Sequence, residues 1–147
     1  MNIIEKNTEA TLQFYELVWS KGDFKVAKEI CAPDLQFILA FAHLDGLDAF
    51  ITLVEKNRAI FENLTYVVPN PNTDIVVSET KAAAFWQMSA KHIDTWRNVP
   101  ASNKNVSING MSYFKFNEEG KINEVRVQND VMSLMHQIGG IKKLYDF

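Results

Sequence analysis

The chain has 147 residues, of which 47% are hydrophobic, and its formal net charge is −3. This length fits one domain over residues 1–147, and the scattered lysines and arginines form no basic stripe for nucleic acid or an anionic membrane surface. The single cysteine excludes an internal disulfide, no apolar run is long enough to cross a membrane, and Met1–Glu5 lacks the features of a signal peptide, so we expect a cytoplasmic protein.

Helical periodicity dominates the first part of the chain. Apolar residues at helical spacing predict helices over residues 8–21, 24–31 and 47–63, with one strand over residues 34–43 between the last two. Thr8 is a candidate N-cap for the first helix, Gly22 ends it, and Asp23 is a candidate N-cap for the second. Cys31 lies in the apolar stripe of the second helix, which favours a buried thiol.

The second part of the chain alternates with a period of two. The pattern predicts strands over residues 64–68, 73–78, 81–92, 104–116 and 122–129, followed by a terminal helix over residues 131–138. Helices followed by a meander of antiparallel strands indicate an α+β domain with the helices on one face of the sheet.

The last predicted strand carries a row of polar side chains. Arg126, Gln128 and Asp130 alternate with other residues and therefore project from one face. Such a face is either solvated or lines a pocket with polar groups. Asp130 also directly precedes the terminal helix, where an aspartate can act as the N-cap.

Several local signals together carry a family resemblance. They are Gly22-Asp23, Asp45-Gly46, the tryptophan strand Phe85–His92, the hairpin Gly120-Lys121-Ile122, and the stretch from Asp130 to Gly139. With the order of elements over residues 8–140, they resemble the SnoaL-like polyketide cyclases of the nuclear transport factor 2-like superfamily. The resemblance implies a cystatin-like cone, in which a strongly curved antiparallel sheet wraps around the N-terminal helices and forms a ligand pocket at its mouth.

The chain departs from the family pattern where a substrate would be held. Ala90 and Asp94 stand where the family has glycines near its histidine, and Arg126 stands where a tryptophan is common. The resemblance therefore implies the fold and a pocket, but it does not carry a polyketide substrate with it.

The resemblance implies proton-transfer roles for Asp130 and His92. His92 ends the tryptophan strand, where a neutral imidazole could give or take a proton, or could simply be a partly solvated residue at a strand end. Asp130 matches the aspartate that acts as general acid or base in polyketide cyclases, where an apolar cone would raise the pKa of the carboxyl. The alternative role of Asp130 is to cap the terminal helix.

Further residues are candidates for binding a ligand. They are Tyr15, Trp19, Phe41, His43, Trp86, Arg126 and Gln128. Tyr15 falls where ketosteroid isomerases place a tyrosine that donates to an oxyanion, but Leu39 stands near the position of their general base, which disfavours that chemistry. The aromatic residues could equally be core, His43 could lie at the rim, and the polar pair on the last strand could form an exposed face or a dimer contact.

The sequence is compatible with three functions. The first is an enzyme that acts on a small, mostly apolar, carbonyl-bearing ligand by acid–base catalysis, the second is a non-catalytic binder of such a ligand, and the third is a scaffold with a vestigial cavity. Neither a metal nor an organic cofactor is expected, since the histidines and Cys31 lack metal-ligand spacing. Apolar residues on both faces of the long strands predict a homodimer that packs through its sheet.

Overall fold

The computed structural model describes residues 1–142, which form four α-helices and seven strands. The helices are α1 (Ile3–Gln13), α2 (Phe24–Ile30), α3 (Leu47–Ile60) and α4 (Val131–Gln137). The strands are β1 (Cys31–Leu39), β2 (Ala42–Asp45), β3 (Phe61–Val67), β4 (Ile75–Val77), β5 (Lys81–His92), β6 (Asn105–Phe116) and β7 (Ile122–Asn129). Within this described part, no helix has both the length and the apolar character needed to cross a membrane.

The strands form one curved, open sheet in the order β2-β1-β7-β6-β5-β3, with β4 added alongside β5. The predicted α+β class is confirmed. The expectation of a purely antiparallel sheet needs one correction, because β1 pairs with β7 in parallel while the other pairs are antiparallel. Register shifts interrupt the β1–β7, β3–β5 and β6–β7 pairs, and such irregularities bend a sheet.

The first helix begins earlier than the sequence predicted. Asn2 is its N-cap, and its side-chain oxygen accepts the backbone N–H of Glu5 over 2.8 Å. Thr8 is therefore not a cap: its hydroxyl donates to the carbonyl of Ile4 within the helix. Asp23 does cap α2 as predicted, since its carboxylate accepts the N–H of Val26.

A π-helical segment, Phe14–Trp19, continues α1 and carries much of the core. Four of its six side chains are buried: Phe14, Tyr15, Val18 and Trp19. Arg58 fixes the end of the segment, because its guanidinium donates to the carbonyls of Trp19 and Ser20 over 2.9 and 2.6 Å. Gly22 then turns the chain with a φ of +66°, as expected for a residue that ends a helix.

The single strand predicted over residues 34–43 is a hairpin. β1 starts at Cys31, Ala40 and Phe41 form the turn, and β2 returns antiparallel to β1. The turn contains neither glycine nor proline, so its sequence looks like a continuation of the strand. The third helix also ends sooner than predicted, at Ile60, and the chain enters β3 directly.

The core lies between the helices and the concave face of the sheet. Even-numbered residues of β5 and β6 point inward, and an aromatic cluster from the helices packs against them. Phe14 stacks on Phe50 with ring centroids 5.2 Å apart and meets the edge of Phe114 at the same distance. Cys31 is buried as predicted, and burial raises the pKa of its thiol to about 12 although the charge of Lys121 opposes the shift.

Candidate functional site

A cavity with two adjoining compartments lies between the helices and the concave face of the sheet. The inner compartment has a volume of about 50 Å³ and the outer one about 90 Å³. Residues shared by both compartments are Leu39, Leu53, Asn57, Tyr66 and Asn129. The shared residues place the compartments side by side, the smaller one against the aromatic core and the larger one beside the exposed side chains of Phe41 and Arg97.

The inner end is formed by aromatic rings and two hydroxyl groups. Tyr15 and Trp86 line it, and the Trp86 indole N–H donates to Ser112 Oγ over 3.0 Å. Tyr15 is only 2% exposed, and its buried hydroxyl has no hydrogen-bond partner of good geometry among residues 1–142. A buried phenol of this kind is free to donate to a ligand oxygen.

Burial keeps the phenols of the cavity neutral. It raises the pKa of Tyr15 far above its ordinary value; the neighbouring Ser112 hydroxyl opposes this shift and Tyr66 adds to it. Burial also raises the pKa of Tyr66, whose ring lies 5.9 Å from that of Tyr15. Both groups are therefore hydrogen-bond donors near neutral pH and not bases.

Four of the predicted ligand-binding residues do line the cavity. Tyr15, Trp19 and Trp86 line the inner compartment, and Phe41 lines the outer one. Phe41 is 54% exposed, so it stands at the mouth, where the β1–β2 turn reaches over the opening. The guanidinium carbon of Arg97 lies 4.0 Å from the centroid of the Phe41 ring.

The polar row on β7 points away from the cavity. Arg126 and Gln128 are exposed on the outer face, which agrees with the solvated face considered from the sequence and not with the alternative of a pocket wall. Because side chains alternate along a strand, Val127 and Asn129 face the cavity instead. Arg126 donates to Glu124 on its own face of the strand.

Asp130 and His43 also lie outside the cavity. Asp130 is exposed and caps α4, since its carboxylate accepts the N–H of Ser133 over 3.0 Å. His43 is exposed on β2 and its Nε2 lies 2.8 Å from Gln36 Oε1. Neither residue lines the inner or the outer compartment.

His92 is fully buried, in contrast to the partly solvated strand end considered from the sequence. Its Nδ1 accepts the backbone N–H of Ser102 over 3.1 Å and lies 2.9 Å from the hydroxyl of the same serine. With Nδ1 accepting, the neutral ring carries its proton on Nε2, which has no partner in residues 1–142. Phe61, which lines the outer compartment, covers the imidazole with ring centroids 5.5 Å apart. His92 therefore lies behind the cavity wall.

The polar residues that line the cavity were not predicted from the sequence as ligand-binding residues. Asn57 and Asn129 border both compartments, and Ser112 sits at the inner end. Asn57 had a usable signal, because it lies three residues after the buried Val54, on the inward side of α3. Asn129 had one as well, since it follows Val125 and Val127 at a spacing of two.

The cavity lining contains no carboxylate and no imidazole among the residues described. Its one charged side chain there is Arg97. Nor does the described part of the chain contain a group of three or more histidine, cysteine, aspartate or glutamate side chains placed to hold a metal ion. The site can therefore offer apolar contact and hydrogen bonds through several neutral groups and one cation.

Solved structures share this fold over almost the whole chain. A protein assigned as a SnoaL-like polyketide cyclase from Jannaschia sp. CCS1 has a TM-score of 0.84 at 20% identity, with 97% of both chains covered. AclR from Streptomyces galilaeus, assigned as a hydroxylase, has a TM-score of 0.78 at 17% identity, with 95% of this chain and 99% of AclR covered. TsrD from Streptomyces laurentii has a TM-score of 0.78 at 18% identity, with 95% and 96% covered. At these identities the similarity establishes the fold, and the differing assignments show that the fold does not fix the reaction.

Sequence comparison identifies the family. A comparison with curated proteins found no match. The family model described as SnoaL-like polyketide cyclase matches residues 9–138, which is most of the chain. The chain therefore belongs to the SnoaL-like polyketide cyclase family of the nuclear transport factor 2-like superfamily.

Proposed function

We propose that this protein binds a small, mostly apolar ligand that carries a carbonyl or hydroxyl oxygen, and that Tyr15 donates a hydrogen bond to that oxygen. The observation that carries the proposal is the Tyr15 hydroxyl, which is buried at the inner end of the cavity without a hydrogen-bond partner of good geometry in residues 1–142. A buried polar group left unpaired costs about 1–3 kcal/mol. A ligand oxygen at this position would recover that cost.

The size of the cavity limits the ligand. The two compartments, about 50 and 90 Å³, approach in scale the cavity of about 150 Å³ that accommodates one benzene ring. The part of the ligand held inside is therefore of the size of one ring or a short acyl chain. Trp19, Phe37 and Leu53 supply the apolar contacts around it.

A matched pair of probes tests the proposal. Acetophenone carries a carbonyl oxygen and isopropylbenzene has a similar shape without one, so binding of each can be followed by chemical-shift changes of the cavity residues. We expect wild-type protein to prefer acetophenone by about tenfold, the equivalent of one hydrogen bond of about 1.4 kcal/mol. Tyr15→Phe should abolish that preference and keep the binding of isopropylbenzene.

Tyr113→Phe is the control, because Tyr113 lies on the opposite face of β6 and should leave both affinities unchanged. If wild-type protein binds acetophenone no more tightly than isopropylbenzene, and Tyr15→Phe does the same, the role of Tyr15 is refuted. If wild-type protein binds neither probe, the cavity is refuted as a ligand site.

Catalysis is the second candidate function, and the family of the chain favours it. In that case the neutral Tyr15 phenol would stabilise an enolate or alkoxide oxygen, since a buried donor preorganised toward developing charge lowers the barrier. Proton transfer by Asp130 or His92 would require movement, because one caps α4 in solvent and the other lies behind Phe61.

Deuterium exchange separates a binder from an enzyme without knowledge of the substrate. Acetophenone in D2O loses its methyl protons when a base removes them, and NMR measures the rate with and without protein. We expect no acceleration for a binder. Acceleration that is lost in Asp130→Asn or in His92→Gln, while acetophenone still binds, would assign the base to that residue and favour the enzyme.

A further inference from the structure

We propose that Arg97 binds a carboxylate group of the ligand at the mouth of the cavity. This inference rests on the proposed function and specifies its ligand class: a small aryl or acyl carboxylic acid, with the apolar body inside and the carboxylate outside. Arg97 lines the outer compartment and is the one charged side chain among the described lining residues. A carboxylate placed there would meet a cation without passing an anionic group on the cavity wall.

The guanidinium of Arg97 is held by aromatic rings and has no acidic partner. Its central carbon lies 4.0 Å from the ring centroid of Phe41 and 5.3 Å from that of Trp96. No carboxylate in residues 1–142 forms an ion pair with it. The carboxylate of Asp94, three residues earlier in the chain, accepts the N–H of Thr95. A contact with an aromatic face uses none of the N–H donors of arginine, so they remain available for a carboxylate. The planar fork of these donors matches the two oxygens of that group.

The backbone holds Arg97 at the opening in a strained conformation. Trp96 and Val99 exchange two hydrogen bonds of 2.9 and 2.8 Å around a two-residue turn. The two residues in the turn, Arg97 and Asn98, have φ values of +47° and +66°. Asparagine and glycine fit such turns, whereas a long side chain with positive φ is strained. A strained arginine at the mouth of a cavity is consistent with a binding role, since this turn would form more readily with asparagine or glycine at position 97.

The polar groups at the two ends of the cavity would orient a bound ligand. Tyr15 and Ser112 lie at the inner end, and Phe41 and Arg97 lie at the outer end. The ring or chain of the ligand would occupy the apolar space between, with its carboxylate against Arg97. A second oxygen on the ligand, if present, would meet Tyr15.

The test uses 3-phenylpropanoate and its neutral amide, 3-phenylpropanamide, with binding measured by chemical-shift titration of the full chain. We expect the carboxylate to bind about tenfold more tightly than the amide at low salt, as charge-assisted hydrogen bonds do. Arg97→Gln should remove this preference and leave the affinity for the amide unchanged. Raising the salt concentration should weaken binding of the carboxylate alone, because a partly exposed ion pair is screened.

Two further variants separate the charge from the turn. Asn98→Gly alters the same turn but keeps the cation, so the preference for the carboxylate should remain. Arg126→Gln removes an exposed arginine on the outer face of β7 and should change neither affinity. If both probes bind equally and Arg97→Gln changes nothing, the carboxylate proposal is overturned and the cavity still binds ligands. If 3-phenylpropanoate and its amide leave the chemical shifts of the cavity residues unchanged while acetophenone changes them, the carboxylate proposal alone fails. If acetophenone does not bind either, both proposals fail.

Discussion

The indole N–H of Trp86 donates to the hydroxyl oxygen of Ser112 over 3.0 Å, and this bond joins two neighbouring strands inside the concave face of the sheet. It occupies one lone pair of Ser112 and fixes the hydroxyl beside Tyr15. One side-chain bond therefore orients the polar end of the cavity and also satisfies the indole in a site that water does not reach.

Removal of this acceptor should destabilise the fold. Ser112→Ala leaves the buried Trp86 N–H unpaired, so we expect the free energy of unfolding to fall by about 1–3 kcal/mol. Urea denaturation measures the change. Ser89→Ala is the matched control, because Ser89 is exposed on the neighbouring strand. Equal midpoints for the two variants would show that the bond adds nothing to stability.

Gly110 should not tolerate even a methyl group. A Cβ at this position would lie 2.2 Å from Cζ2 of Trp86, whose ring covers the glycine across the β5–β6 pair. We expect Gly110→Ala to lower the free energy of unfolding by about 1–3 kcal/mol or more, since overpacking forces side chains off their rotamers.

The double variant Gly110→Ala/Trp86→Phe identifies the cause. The smaller ring makes room for the methyl group, so the two changes together should cost less than the sum of their separate effects in urea denaturation. Strict additivity would show that the ring of Trp86 is not what excludes the side chain.

The ion pairs of Glu124 predict a small acid dependence of stability. Burial raises the pKa of this carboxyl, but hydrogen bonds and charges from Arg126 and Lys115 outweigh it and hold the pKa below the ordinary 4.5. A pKa that is lower in the folded state gives stability that is present above about pH 4.5 and is lost as the pH falls through the folded value.

Glu124→Gln should therefore cost less than about 1 kcal/mol at pH 7, because both cations are partly exposed, and the difference from wild type should shrink by about pH 3. Urea denaturation at the two pH values measures it. Glu119→Gln, in an exposed hairpin turn, should show no such difference at either pH. A deficit for Glu124→Gln that stays constant with pH would contradict the electrostatic origin.

Self-association through the outer face of the sheet remains a prediction. Val76 and Met111 are 66% and 56% exposed on that side, next to Tyr113. An apolar face that does not cover the helices favours a partner, and a second copy of the chain is the simplest one. We expect a dimer by light scattering at micromolar concentration and a monomer for Met111→Lys. Ile3→Lys, which places the same charge on α1, should leave the dimer intact.

Short-range sequence patterns alone determined several strand bounds and helix caps of this protein. The bounds of β5 and β7 agree with prediction, because each is a run of alternating residues between turn residues. The cap at Asp23 and the one at Asp130 depend on neighbours three residues away, so the sequence contains both partners.

Contacts between distant residues decided the rest. β1 pairs in parallel with β7 although most of the chain separates them, and no local period encodes that choice. The alternation along β7 shows from the sequence which side chains share a face, but not which face lies inward. The position of the helices against the sheet decides that Val127 and Asn129 face a cavity while Arg126 faces solvent. The cavity itself brings together Tyr15, Asn57, Ser112 and Asn129 from four separate elements, and Arg97 joins them from a loop. Such convergence follows from packing a curved sheet on helices, which no single segment of the sequence specifies.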